Sequence, residues 1–124
     1  MPRKPETIRN DRYADALFER LPDGIAPWSR RSMFGGQCLM APTGMFCIIW
    51  SERVYLRVSD TTRAHFERAQ MKPFQPGPTT ILRSYYEVPA PIVADGERLR
   101  EWMETAALLP RPPAKRAVLR RSAG

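Results

Sequence analysis

Between Gln37 and Val58 the chain allows few folds. "MFCIIW" at 45–50 is a continuous apolar run, and "VYLRV" at 54–58 alternates, with Val54, Leu56 and Val58 on one face and Tyr55 and Arg57 on the other. "APTG" at 41–44 and "SER" at 51–53 are the only connections available. Linkers of three or four residues cannot carry a crossover, so neighbouring strands must run antiparallel. The spacing predicts a three-stranded meander, with "GGQCLM" at 35–40 as its first strand. In that hairpin residue 40 would pair with 45, and Cys38 would face Cys47.

Helices flank the meander. Tyr13, Ala14, Leu17, Phe18 and Leu21 recur at three- and four-residue steps, which predicts a helix capped by Asn10 or Asp11 and closed by "PDG" at 22–24. Asp60, Thr61 or Thr62 can cap a short helix over 61–70. Asp95 can cap a last one, in which Leu99, Trp102, Met103 and Ala106 share a face. "ILRSYYEV" at 81–88 is rich in strand-forming residues, and "MKPFQPGPTT" before it suits a loop or an edge strand. Thirteen prolines in 124 residues keep the helices short. The expected order is α-β-β-β-α-β-β-α, an α+β fold with an antiparallel sheet of about five strands. Residues 1–10 are expected to be a flexible leader, 11–109 one domain, and 110–124 a basic flexible tail.

Charge separates the domain from that tail. Of a net +7, five charges belong to Arg111, Lys115, Arg116, Arg120 and Arg121, which leaves +2 for residues 1–110. The tail could therefore hold nucleic acid or an acidic partner in a salt-sensitive way, whereas the domain lacks the basicity of a dedicated nucleic-acid binder. No apolar run approaches the ~20 residues of a membrane span. Two cysteines do not make a disulfide framework. The expectation is a cytoplasmic protein without cofactor or metal.

The chemistry-bearing residues are sparse. His65 is the only histidine, and with Cys38 and Cys47 it lacks metal-ligand spacing. A nucleophilic thiol needs a base and an orienting group, for which no pattern is present. Asp15/Glu19 and Glu97/Glu101 are helix-surface pairs. The Gly35 and Gly36 amides beside Arg30 and Arg31 could hold an anion. Tyr55/Arg57 and Arg83/Tyr85/Tyr86 could form an outward face on which bases stack. Exposed aromatics on an edge strand could support a homodimer.

Several segments taken together resemble a known family. "RRSMFGG", Gly44 in a turn, "MFCIIW", "VYLRVSD", Phe66, "KPFQP" and "SYYEVPAPIVADGERLREW" follow in one order at compact spacing. This resembles the N-terminal domain of the TfoX/Sxy competence regulators over roughly residues 12–109, with "MFGG" at 33–36 and "SYYEVP" at 84–89 the most specific pieces. After the glycines the family usually has an aromatic and another glycine, where this chain has Gln37 and Cys38. A lysine common at the end of the third strand is replaced by Arg57. The resemblance implies an α+β domain in the bacterial cytoplasm. Full-length members promote expression of DNA-uptake genes together with a cyclic-AMP-responsive activator, and they carry a second, helical domain where this chain has only its tail. The implied role is a non-enzymatic regulatory module that binds a protein partner, with Arg30, Arg31, Met33, Phe34, Gly35 and Gly36 as the patch of first interest. Met33 and Phe34 are expected to anchor the first strand in the core. The alternatives are a nucleic-acid binder using the tail and the Tyr/Arg face, and a small ligand-binding domain or enzyme with a pocket beside "MFGG".

Overall fold

The computed structural model describes residues 4–110. Helix α1 (Pro5–Glu19) is followed by strands β1 (Ser29–Met33), β2 (Gly36–Ala41), β3 (Gly44–Trp50) and β4 (Arg53–Arg57). Then come α2 (Asp60–Arg68), β5 (Pro73–Gly77), β6 (Thr80–Glu87), the short α3 (Ala90–Val93) and α4 (Gly96–Ala107). All strands join one antiparallel sheet in the order β1-β2-β3-β4-β6-β5. The α+β class and the expected succession hold, with six strands in place of about five. The added strand is β1. Its residues, "SRRSM", show no apolar alternation because four of the five are exposed. It forms because a two-residue turn folds it back onto β2, with Met33 paired to Gly36.

Helix α1 starts earlier than its cap candidates suggest. Pro5 occupies the first turn, where its missing N–H costs no bond and its fixed φ suits a helix. Pro5–Asn10, expected in a flexible leader, are therefore helical, and Asn10 lies inside α1 on the same buried stripe as Ala14, Leu17 and Phe18. The cap of helix α2, Ser59, also lies one residue before the first expected cap, Asp60. Ser59 accepts from the Thr62 amide at 3.1 Å while its own amide donates to Thr62 Oγ1 at 2.8 Å, a reciprocal cap that satisfies two end groups. Asp95 caps α4 as expected, accepting from the Arg98 amide at 3.2 Å.

The main core lies between the helices and one face of the sheet. Leu17 of α1, Leu39, Ile49 and Leu56 of the sheet, and Leu99 and Met103 of α4 are all essentially inaccessible. Each such side chain contributes about 1.5–3 kcal/mol by leaving water. A second, smaller cluster on the opposite face consists of Ile48, Tyr55 and Phe74. Phe74 belongs to the edge strand β5, yet it is fully buried. Register shifts on either side of it bend β5, and its ring meets Tyr55, Trp50 and Phe34 at centroid distances of 4.9, 5.5 and 5.7 Å. The edges therefore offer no exposed aromatic for a homodimer: β1 has none, and that of β5 is turned inward.

The expected pairing of residues 40 and 45 is present, but a bulge follows it. Met40 pairs with Met45 and Leu39 with Cys47, so Phe46 is the extra residue of β3. It turns into the helix-side core, where its ring packs edge-on against Trp28 at 4.8 Å. Cys38 consequently faces Ile48 instead of Cys47. The two thiols point to opposite faces of the sheet, which excludes a disulfide without backbone rearrangement.

Candidate functional site

"MFGG" forms the tip of the β1–β2 hairpin. Phe34 and Gly35 are its two turn residues, with φ of 56° and 77°. Positive φ at both central positions fits the twist of a hairpin, but it favours Asn or Gly over a bulky side chain. Three hydrogen bonds hold the arrangement. Trp50 Nε1 donates to the Phe34 carbonyl at 3.0 Å, and Asn10 Nδ2 donates to the Gly35 carbonyl at 3.0 Å. The Asn10 amide oxygen accepts from the Ser51 N–H at 2.9 Å. Ser51 and Glu52 are the turn of the β3–β4 hairpin and also have positive φ, 53° and 57°. One buried asparagine thus links two left-handed turns at the same end of the sheet. Gly36 is required for another reason: a Cβ there would strike the carbonyl oxygen of Ile49 and press on the Trp50 ring.

The consequence is that Phe34 is displayed. It is 48% exposed, contrary to the expectation that it anchors the core, and Met33 is only partly buried. Phe34 and Trp50 line a cleft of about 210 Å³ whose other walls are Glu6, Arg9, Asn10, Ser51 and Glu52. Among the described residues two carboxylates, Glu6 and Glu52, and one cation, Arg9, stand among those walls, and neither glycine of the expected anion site does.

The two arginines of the patch separate. Arg30 is committed within the fold. It bonds Asp15 at 2.7 Å and the Gln37 side-chain oxygen at 2.7 Å, and its guanidinium lies 5.2 Å from the centre of the Phe18 ring. Gln37 in turn donates to Asp11 at 2.6 Å. Arg31 points to the other face beside its cross-strand partner Cys38 and is exposed.

The Tyr/Arg face is not a platform. Tyr55 and Tyr86 are buried, and Tyr85 is partly covered, donating to the Met45 carbonyl at 2.9 Å. Tyr86 donates to Glu67 at 2.8 Å. Arg57 is 4% exposed and works as a clamp. Its Nη1 donates to the carbonyls of Thr43 and Met45 at 3.1 and 3.2 Å, and its Nη2 to Thr43 Oγ1 and the Leu109 carbonyl at 2.8 and 2.7 Å. One guanidinium fork thereby fastens the β2–β3 turn to the end of α4. Only Arg83 of the proposed stacking set is exposed. The tail residues Arg111, Lys115, Arg116, Arg120 and Arg121 lie outside the described residues.

The remaining reactive groups are dispersed. His65 lines a different, largely apolar cleft of about 160 Å³ with Leu56, Phe66 and Trp102, and neither cysteine borders either cleft. Burial pushes both thiols above their ordinary range; at Cys38 the charge of Arg31 opposes this, and at Cys47 the neighbouring Cys38 adds to it. Both are held as neutral thiols, the opposite of what a nucleophile requires.

A family model for the TfoX N-terminal domain matches residues 19–108 of the chain. The chain belongs to the TfoX N-terminal domain family. No curated protein matches it. The matched span of the TfoX N-terminal domain takes in the "MFGG" hairpin, the Arg57 clamp and α4, and begins at the last residue of α1. Asn10, Glu6 and Arg9, which complete the cleft, precede it. The sequence offers Asn10 or Asp11 as the helix cap and places Arg57 on an outward Tyr/Arg face; the fold makes Asn10 a buried bridge and Arg57 a buried clamp. For Asn10 the correcting signals are Pro5 at a helix start and the period of 3.6, which places residue 10 on the stripe of 14, 17 and 18. For Arg57 no local pattern gives its long-range acceptors in the β2–β3 turn and after α4.

Proposed function

We propose that this TfoX N-terminal domain is a non-enzymatic regulatory module of the bacterial cytoplasm that binds a protein partner through the Phe34 hairpin tip. The observation that carries the reading is the geometry of Phe34. A bulky aromatic occupies a left-handed turn position, nearly half of it is in water, and Asn10 and Trp50 hold the turn around it. Non-glycine residues in such conformations persist where surrounding structure enforces them, and they concentrate at functional sites. An exposed aromatic on a fixed support is also the side-chain type that dominates protein interfaces. Arg31, exposed on the adjacent edge strand, extends the surface, and Gly36 lets the Ile49 carbonyl and the Trp50 ring approach the base of the turn. Regulation of competence genes is the role this family membership suggests for the complex.

The test is affinity capture from the cell of origin using the full chain and two variants. Phe34→Asn suits the turn and removes the ring, and it is expected to lose a partner that the parent retains. Arg83→Ala, an exposed arginine of β6 outside the hairpin and the cleft, is expected to retain it. Equal recovery by parent and Phe34→Asn would contradict the proposal.

A further inference from the structure

We propose that the cleft beside the hairpin tip receives an arginine side chain of the partner, an inference that rests on the docking reading above and names its chemistry. At about 210 Å³ the cleft is smaller than the ~300–1,000 Å³ of small-molecule sites, and it suits a single side-chain head. Its walls combine two kinds of group. Phe34 and Trp50 supply aromatic surface, which attracts an organic cation through the negative ring face. Glu6 and Glu52 supply carboxylates, against Arg9 as the single cation among the described residues. Among the described residues neither carboxylate takes part in an ion pair; the four pairs use Asp15, Glu87, Asp60 and Glu104. The cleft thus has negative charge left to complement. A planar guanidinium satisfies both kinds of wall at once, stacking on a ring while its fork donates to a carboxylate, whereas an ammonium provides a point charge without the flat face. Asn10 fixes the two turns that carry Phe34 and Glu52, so the walls are arranged before binding.

The test is a titration of the ¹⁵N-labelled full chain with N-acetyl-arginine amide, followed by NMR at low salt up to about 20 mM, a range that detects millimolar affinity. N-acetyl-lysine amide and N-acetyl-glycine amide serve as comparisons. Saturable shifts of the Trp50 indole N–H and of the Gly35 and Ser51 amides are expected with the arginine probe, weaker ones with lysine and none with glycine. The double variant Glu6→Gln/Glu52→Gln alters exposed groups and should keep the parent spectrum elsewhere; it should bind about tenfold more weakly, as loss of two exposed charge contacts implies. Absence of saturable shifts, equal binding of lysine, or an unchanged affinity in the double variant would overturn the assignment. A silent titration together with a capture that Phe34→Asn abolishes removes the arginine assignment alone. A capture that Phe34→Asn leaves intact removes the docking reading, and this one with it.

Discussion

Asn10 shows how much a single residue can organise. It is 5% exposed, and its amide uses both ends: the NH₂ donates to Gly35 and the oxygen accepts from Ser51. A carboxylate of the same shape can only accept. Asn10→Asp should therefore keep the Ser51 bond, lose the Gly35 bond and set a negative charge against a carbonyl. The expected loss is about 2 kcal/mol in a denaturant melt at neutral pH, partly recovered at low pH where the carboxyl is protonated and can donate. An Asn10→Asp protein as stable as the parent would show that the two turns hold themselves. From sequence, Asn10 was visible only as a polar residue near a helix start, because composition does not tell a cap from a buried bridge one turn further in. Gly36 is more legible, since a glycine inside a strand marks a close backbone approach, and the Ile49 carbonyl provides it.

At the level of elements, periodicity was a reliable guide where burial is one-sided. The stripe of α4 appears as expected, because it has one face on the main core; β4 alternates in direction, but Val54, Tyr55, Leu56 and Arg57 are all buried. It was uninformative for β1, which is exposed almost throughout, and for β3, where the bulge at Phe46 places two consecutive residues in one core and moves Cys38 out of line with Cys47. It also misled at the Tyr/Arg face. Alternation correctly puts Tyr55 and Arg57 opposite Leu56, but a second cluster, closed by Phe74 from a bent edge strand, covers that face as well. Arg57 belongs to this level, since it ties the β2–β3 turn to the end of α4. Replacing it by methionine leaves three partly buried carbonyls without their charged donor, while that of Met45 keeps the Tyr85 hydroxyl. The expected cost is about 3 kcal/mol, a fall in Tm of about 10–20 °C. Arg57→Lys should recover only part of it, because a single ammonium cannot span the same acceptors. A melt of Arg57→Met within about 1 kcal/mol of the parent would rule out the clamp.

For the whole molecule, stability should fall at alkaline pH. Burial raises the thiols of Cys38 and Cys47 above their ordinary value, and it likewise raises Tyr13, Tyr55 and Tyr85. For such groups the folded state keeps the proton after the unfolded chain has lost it. Their contribution is complete below the unfolded value and is lost as pH rises past it. Stability should decline from about pH 9, with a slope of about 1.4 kcal/mol per pH unit for each group still protonated only in the fold. Cys47→Ala should make the decline shallower, and a Cys47→Ala curve parallel to the parent's would contradict that origin. The same burial predicts that native protein reacts slowly with thiol reagents. Class and succession of elements are thus readable from the chain. The cleft is not, because it joins Glu6, Phe34 and Glu52 from three separate segments, and only the packing of α1 against two hairpin tips brings them together.

The central claim is that Phe34 is held out for contact and is not part of the core, and equilibrium unfolding of Phe34→Asn tests it most directly. Asparagine relieves a left-handed strain of about 1–2 kcal/mol, and loss of the ring contact with Phe74 costs a comparable ~0.5–1.5 kcal/mol. The predicted result is a stability within about 1 kcal/mol of the parent, with an unchanged dependence on denaturant. A loss above about 3 kcal/mol, the size expected for deleting a buried phenylalanine, would show that the ring belongs to the core and would contradict the account.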